Sequence, residues 1–295
     1  MPSNAFSRIS AAIQRPKAVI IGFFAGSATL RCEPTGELIT TSSSQAEFTT
    51  PGTYSWVAPT GITSVCVVCV SGGEAGGLSA YQSTDPGQGF VRIAYGGRGG
   101  TLAYKNNVAV TPGTTYEVVV GAGGVGNGGN GGTSSFGGAL VKAVHGNLST
   151  SVGDAKYLGG AGGHSAGLQG AAPAGSGGGG AGGYAGAGGA GGGYDYATSA
   201  GAGTGGAGGG GARGSNGGIG GNGGGVGIYG QGSNGAGGSP AGSAAAGGPG
   251  SGGTGQSYGG GGAAGALSQA AGGGGAVRII WGPGRAFPST NTANI

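Results

Sequence analysis

The chain has 295 residues, 87 of them glycine, and only 7% of its residues are charged, with a formal net charge of +4. Surfaces that bind nucleic acid need clustered lysine and arginine, so this composition predicts no nucleic-acid partner. Glycine loses more backbone freedom on folding than any other residue and buries no side chain. So many glycines therefore need a regular arrangement that holds them.

Residues 1–46 have an ordinary composition. We expect a short helix over 4–14, because Asn4 can cap its start and Pro16 would end it. The apolar stretch that follows, AVIIGFFAG, is too short to span a membrane, and we interpret residues 18–25 as a buried strand.

Residues 47–158 are predicted to be β. AEFTTPGTYSWVAP places two strands around the turn pair Pro51–Gly52. ITSVCVVCV is a continuous apolar run, which is typical of a strand covered on both faces. LAYKNNVAVTPGTTYEVVV contains two strands joined through residues 111–114, and SSFGGALVKAVHG is a further strand pair or one bulged strand. We therefore predict an antiparallel, β-sandwich-like domain over 47–158.

Three cysteines are present, and two of them form a C-x-x-C at Cys66 and Cys69. This spacing is a weak zinc signal when no second pair accompanies it. Positions i and i+3 of a strand point to opposite faces, so we interpret the pair as small buried apolar residues and predict no metal site.

Residues 159–275 change character, because about half of the positions are glycine and strand or helix periodicity is absent. Local triplets recur instead, such as GGI GGN GGG at 217–225. A three-residue period with glycine is typical of an extended, left-handed three-fold helix. The low proline content argues against collagen, so we predict a bundle of packed polyglycine II helices. Gly218, Gly221 and Gly224 would face neighbouring helices.

The chain returns to ordinary composition at AVRIIW, residues 276–281, which predicts a strand. A strand after so long a glycine excursion suggests that the excursion is an insertion into one β-domain. We therefore divide the chain into an attachment segment (1–46), a β-domain (47–158, completed by 276–282), a glycine-rich bundle (159–275) and a tail (283–295).

The segments YSWVAPTGITSVCVVCVSGG, LAYKNNVAVTPGTTYEVVVGAGG, GGTSSFG and GGGGAVRIIWG together resemble glycine-rich phage tail-fibre and virion proteins, in particular those of cyanophages. The chain is also similar in style to phage tail-tip adhesins in which packed polyglycine II helices carry receptor-binding loops. The resemblance covers roughly residues 47–290. It implies a virion protein that is assembled in the host cytoplasm, and residues 1–46 lie outside it.

Side chains interrupt the glycine pattern at intervals of about 15 residues, which predicts turns between the helices. Tyrosine with small polar residues offers a large, rigid contact area at low entropic cost, as in antibody combining loops. The predicted receptor-binding residues are Tyr184, Tyr194, Asp195, Tyr196, Arg213, Tyr229 and Tyr258. The alternative is that these tyrosines seal the ends of the bundle.

Patterns for catalysis or cofactor binding are weak. G-x-G-x-x-G occurs repeatedly, but no strand, helix and acidic residue surround it as a dinucleotide site requires. Eight scattered acidic residues and two histidines nominate neither a glycosidase pair nor a metal centre. We therefore predict that the chain is not an enzyme and binds no cofactor.

The sequence thus predicts a phage fibre, tip or adhesin protein that displays loops on a rigid glycine-rich scaffold for binding the bacterial surface. The expected partners are a bacterial polysaccharide or outer-membrane protein and, through residues 1–46, other virion proteins. We expect a homo-oligomer or a place in a symmetric assembly. The alternative is a purely structural virion protein, such as a decoration, collar or spacer protein, without receptor contact.

Overall fold

The computed structural model describes residues 29–32, 38–41, 43–82, 90–167, 174–193, 200–204, 207–211, 220–238, 258–265 and 269–288. The predicted helix over 4–14 and the predicted strand over 18–25 lie outside these residues. Within them the chain is mostly β and contains no α-helix.

Strands are numbered in chain order. They are β1 (Thr29–Cys32), β2 (Leu38–Thr41), β3 (Ser44–Phe48), β4 (Gly52–Val57), β5 (Ser64–Val70), β6 (Gly77–Gln82), β7 (Phe90–Tyr95), β8 (Leu102–Ala109), β9 (Thr115–Val120), β10 (Ser134–Phe136), β11 (Val141–Val144), β12 (Asn147–Val152), β13 (Ala155–Tyr157), β14 (His164–Gly167) and β15 (Ala276–Trp281).

Two five-stranded antiparallel sheets form the body of the protein. The central sheet has the strand order β13-β8-β5-β15-β3, and the outer sheet has the order β12-β11-β10-β9-β4. A three-stranded sheet, β14-β7-β6, and the hairpin β1-β2 complete the described strands.

The two large sheets pack face to face over one hydrophobic core. The central sheet contributes alternate residues such as Val67 and Ile279, and the outer sheet contributes Val118 and Phe136, all fully buried. Trp56 of β4 meets Trp281 of β15 with ring centroids 5.7 Å apart. Aromatic rings thus bridge the two sheets, as expected for large apolar side chains at a sheet-to-sheet interface.

The predicted pairing of AVRIIW with the earlier strands is confirmed. β15 lies between β3 and β5, with Ile279 opposite both Ala46 and Val67. Every residue of β15 is buried, because the central sheet is covered on both faces. Its second face packs a separate hydrophobic cluster against the glycine-rich region, including Val68, Ile280 and Tyr184.

The other strand predictions have mixed outcomes. The two strands around Pro51–Gly52 are present, but β3 belongs to the central sheet and β4 to the outer sheet. SSFGGALVKAVHG forms the strand pair β10 and β11. Cys66 and Cys69 are buried free thiols in the two different cores, as their spacing predicted. The strands β1, β2, β6, β7, β12, β13 and β14 were not individually predicted.

Hydrogen bonds among the glycine segments follow a three-residue rule, which is clearest in residues 176–183. Their N–H groups reach three neighbouring segments in turn, with N···O distances between 2.8 and 3.0 Å. Residues 177 and 180 donate to the carbonyls of 192 and 189, 178 and 181 to those of 221 and 224, and 179 and 182 to those of 97 and 100.

The carbonyl groups of the same segment accept from three more segments. Residues 177 and 180 accept from 163 and 160, 178 and 181 from 211 and 208, and 176 and 179 from 264 and 261. Residues 176–183 therefore have six hydrogen-bonded neighbours. The predicted contact of Gly221 and Gly224 with a neighbouring segment is confirmed, and Gly218 lies outside the described residues.

Glycine packing is not confined to residues 159–275. Segment 96–100 is a direct neighbour of 176–183, and Gly73 donates to the carbonyl of Gly273 and accepts from the N–H of Gly124. The glycines that follow β5, β7 and β9 thus extend the central, three-stranded and outer sheets, respectively, into the glycine-rich region.

Candidate functional site

The glycine-rich region has two ends, which we name by their surroundings. Residues 176–183 run from Ser176 to a turn at 183–186, where the N–H of Gly183 donates to the carbonyl of Gly186. Tyr184 at this turn packs on the central sheet, so this is the near end. Segment 186–193 then runs back, antiparallel, to the far end beside Ser176.

Several described segments terminate together at the far end. The carbonyl of Ala264 accepts from the N–H groups of Ser176 and Gly220, at 2.8 and 3.0 Å, and Gly192 donates to the carbonyl of Gly211 at 2.9 Å. The backbone of Gly193 lies against that of His164. The chain therefore leaves the described packing at 193 and 211, and re-enters it at 200 and 220, on one side of the molecule.

Four predicted contact residues belong to the two connections that start there. Tyr194, Asp195 and Tyr196 follow Gly193, and Arg213 follows Gly211 by two positions. All four lie outside the described residues. Their chain neighbours are brought together at the far end, as the prediction of alternate turns at one end of the bundle requires.

The prediction of a contact role for Tyr184 is corrected by its burial. Only 1% of its surface is exposed. Its ring stacks on Phe287 with centroids 5.8 Å apart, and its hydroxyl donates to the carbonyl of Gly227 and accepts from the N–H of Gly230. Burial raises the pKa of this phenol. Tyr184 fits the alternative reading, in which a tyrosine seals the bundle.

Tyr258 is corrected in the same way. It is buried in the cluster between the central sheet and the glycine-rich region, and its backbone exchanges two hydrogen bonds with Val226. Burial raises the pKa of its hydroxyl. The interruption of the glycine pattern at this position meets an apolar sheet surface instead of solvent.

Tyr229 is half-buried and belongs to an anchor at the near end. Its hydroxyl donates to Oε2 of Glu47 at 2.8 Å, and its ring lies under the guanidinium of Arg278, 4.3 Å from the ring centroid. Burial and the Glu47 carboxylate both raise the pKa of Tyr229. A contact at this distance and geometry stabilises a desolvated arginine.

Arg278 is the residue of this anchor that sequence reasoning missed. It is fully buried in the middle of β15, with Nε 3.3 Å from Oε1 of Glu47, and it donates to the carbonyl of Ile228 at 3.2 Å and to Gln45. Burial lowers the pKa of its guanidinium, and Glu47 opposes that shift. The available signal was one charged residue inside the otherwise apolar run AVRIIW.

A second polar anchor joins the outer sheet to segment 71–76. Oε2 of Glu74 accepts from the N–H of Arg98 at 3.0 Å and lies 3.8 Å from Nε2 of His145, whose Nδ1 is 3.0 Å from the carbonyl of Gly72. Burial by itself raises the pKa of Glu74, but the nearby His145 ring and the hydrogen bond from the N–H of Arg98 outweigh it, so the net pKa is lowered. Glu74 therefore holds the β11–β12 turn as a carboxylate.

An open cavity of about 320 Å³ lies where β5 and β15 separate at the end of the central sheet. Asn107, which has a φ of 53°, lines it together with Cys66, Trp281 and Arg285. Burial raises the pKa of the Cys66 thiol. The described lining holds no carboxylate or imidazole, so it does not assemble an acid–base pair.

In the part of the chain that the structure describes, His, Cys, Asp and Glu residues form no group of three or more that could hold a metal ion. The described residues also contain no helix long and apolar enough to cross a membrane. Neither a protein-family model nor a curated protein matches the chain.

Proposed function

We propose that the glycine-rich region is a polyglycine II bundle inserted into a β-sandwich-like domain, and that it serves as a rigid scaffold for loops. The N–H groups of three successive residues in 176–183 point to three different neighbours, as they do in a three-fold helix. With its carbonyl partners, this segment has the six neighbours of a hexagonal packing of such helices.

Glycine is needed at these positions because the backbones approach one another directly. A Cβ placed on Gly179 or Gly180 would lie 1.9 or 2.0 Å from a neighbouring carbonyl oxygen. No side chain fits at that distance, so the packing depends on backbone hydrogen bonds such as those of residues 176–183.

On this scaffold the chain would act as a phage virion fibre, tip or adhesin protein that binds the bacterial host surface. One observation carries the proposal. The connections that contain Tyr194, Asp195, Tyr196 and Arg213 begin and end at the far end of the bundle, opposite the end that is anchored to the central sheet. Tyrosine and arginine are enriched among residues that dominate binding energy.

The remaining tyrosines have structural roles in this proposal. Tyr184, Tyr229 and Tyr258 hold the near end against the central sheet. The ligand would be a bacterial polysaccharide or an outer-membrane protein, and residues 1–46 would attach the chain to other virion proteins. The chain would act without catalysis, by presenting a contact surface.

The test is a double substitution, Tyr194→Ala with Tyr196→Ala, in the particle that carries the protein. We expect the adsorption rate to host cells to fall by about tenfold or more, since contact residues of this kind contribute over about 1 kcal/mol each. The melting temperature should stay near that of the wild type. Tyr184→Ala is the matched control, and it should lower the melting temperature first.

The alternative, a purely structural virion protein, predicts a different result. In that case the stable double variant would adsorb normally, because the far-end connections would touch no receptor. Normal adsorption by a stable double variant would therefore overturn the receptor-binding proposal and favour the structural one.

A further inference from the structure

One side of the glycine-rich region is built from three neighbouring segments whose side chains reach solvent. Gly201 donates to the carbonyl of Ala190 at 2.8 Å, and Gly203 donates to that of Gly235 at 2.9 Å, so segments 186–193, 200–204 and 235–238 lie side by side. Their exposed residues include Ala187, Ala190, Ala202 and Ala236. We call these four the edge alanines.

Glycines of segment 186–193 that face neighbouring segments leave no room for a methyl group. A Cβ on Gly188, Gly189 or Gly191 would lie 1.9, 2.0 or 2.0 Å from the carbonyl oxygen of Gly180, Gly201 or Gly177. A Cβ that close to a backbone oxygen does not occur. At these three positions, a methyl group would therefore exclude the neighbouring segment.

On the outward face of segment 186–193, the N–H groups have the same three-residue spacing as on its inward faces. The N–H groups of Ala187 and Ala190 make no hydrogen bond to any described residue. They are three residues apart, the same spacing as Gly177 and Gly180, which donate to a neighbouring segment inside the region. Two N–H groups without a partner among the described residues are comparable to the edge of a β-sheet, which recruits further strands unless it is blocked.

We propose that the edge alanines end the glycine packing and prevent a glycine segment of a second copy of this chain from docking on this side. The proposal does not depend on receptor binding. A docking segment would need to come as close as the inward neighbours do, and the methyl groups occupy that space. The glycine packing therefore ends within one chain, and copies of the chain do not associate through this side.

The experiment compares the full chain with a variant in which all four edge alanines are replaced by glycine. Sedimentation velocity across a wide concentration range should give the variant a mass that at least about doubles relative to the wild type, as for a symmetric dimer. The same four positions changed to serine form the matched control. Serine keeps a Cβ, so that variant should sediment like the wild type.

Glycine substitutions also loosen the unfolded chain and lower stability, so thermal unfolding is recorded for all variants and sedimentation is run well below each transition. If the fourfold glycine variant does not fold, Ala187→Gly with Ala190→Gly replaces it. A folded glycine variant that keeps the wild-type mass would overturn the proposal. Equal association of the serine variant would overturn it too, because the blocking group would then not be the Cβ.

Discussion

At the scale of single residues, the value of glycine here lies in what its missing Cβ permits. Gly→Ala commonly stabilises a protein by about 0.4–1 kcal/mol where the backbone and the space allow it, since it restricts the unfolded chain. In the glycine-rich region the same change has opposite signs at different positions. The distance from an added Cβ to the nearest backbone oxygen decides which sign applies.

Gly180→Ala should therefore lower the free energy of unfolding by about 3 kcal/mol or more, in the range of strongly overpacked sites. Its Cβ would lie 2.0 Å from the carbonyl oxygen of Gly208. Gly274→Ala is the control, because its Cβ would meet only the Pro51 ring at 3.6 Å, and it should be neutral or slightly stabilising. Denaturant titrations measure both. Equal free energies of unfolding for the two variants would show that backbone contact is not what selects glycine.

At the scale of elements, β3 joins the sheet to the glycine-rich region. It pairs with β15 along its whole length. The Gln45 side chain accepts hydrogen bonds from Arg278 and Arg285. The Glu47 carboxylate accepts a hydrogen bond from Tyr229 and forms an ion pair with Arg278. Arg278 is fully buried while Glu47 is exposed, so loss of Glu47 would leave a buried guanidinium without its carboxylate partner and is expected to destabilise the protein. β1 and β2, by contrast, pair only with each other in the described part of the chain.

This arrangement predicts where the N-terminal segment can be cut. A chain that begins at Ser43 should keep a melting temperature within a few degrees of the full chain and should no longer join particles. A chain that begins at Pro51 lacks β3 and should lose the near-ultraviolet circular dichroism of its packed aromatic rings. Glu47→Gln, which keeps β3 but removes the charge, should fall between them. A stable, fully packed chain without β3 would contradict this account of the anchor.

At the scale of the whole molecule, the central sheet is shared by two cores. Val67, Cys69 and Ile279 face the outer sheet, while Val68 and Ile280 face the glycine-rich region. The chain between β5 and β15 also passes through both parts repeatedly. Neither part can lose its packing without exposing one face of the same strands, so the two parts should unfold together.

Hydrogen exchange tests this cooperativity. The amides of Gly177 and Gly180 should show nearly the same opening free energy as those of Val67 and Ile279. Opening free energies differ between regions of a protein only where those regions open independently. Protection of the two glycine amides that is weaker by about 2 kcal/mol or more would indicate a glycine-rich region that opens alone. A uniform loss of protection in Tyr184→Ala would support the shared unit further.

The sequence by itself determined the strands with strong patterns and part of the glycine packing, but it missed the glycines that follow β5, β7 and β9. Residues 65–70 (VCVVCV) and, apart from Arg278, residues 276–281 (AVRIIW) are apolar because both faces of β5 and β15 are covered, and this pattern is local. The three-residue glycine rhythm likewise indicated contact of Gly221 and Gly224 with a neighbour, because a three-fold helix repeats its contacts every third residue. Strands rich in β-branched residues and poor in glycine can be predicted from their local sequence alone.

The tertiary structure alone decided what the interruptions of the glycine pattern at Tyr184, Tyr229 and Tyr258 meet. Tyr184, Tyr229 and Tyr258 look like exposed loop residues in the sequence, yet they lie against the second face of the central sheet. That face is formed by the pairing of β15 with β3 and β5, and β15 lies more than 200 residues from both strands in the sequence. Arg278 was missed for the same reason, because its partners on β3 and at Tyr229 are distant in sequence. Burial at the near end is a property of this long-range pairing, which no local pattern encodes.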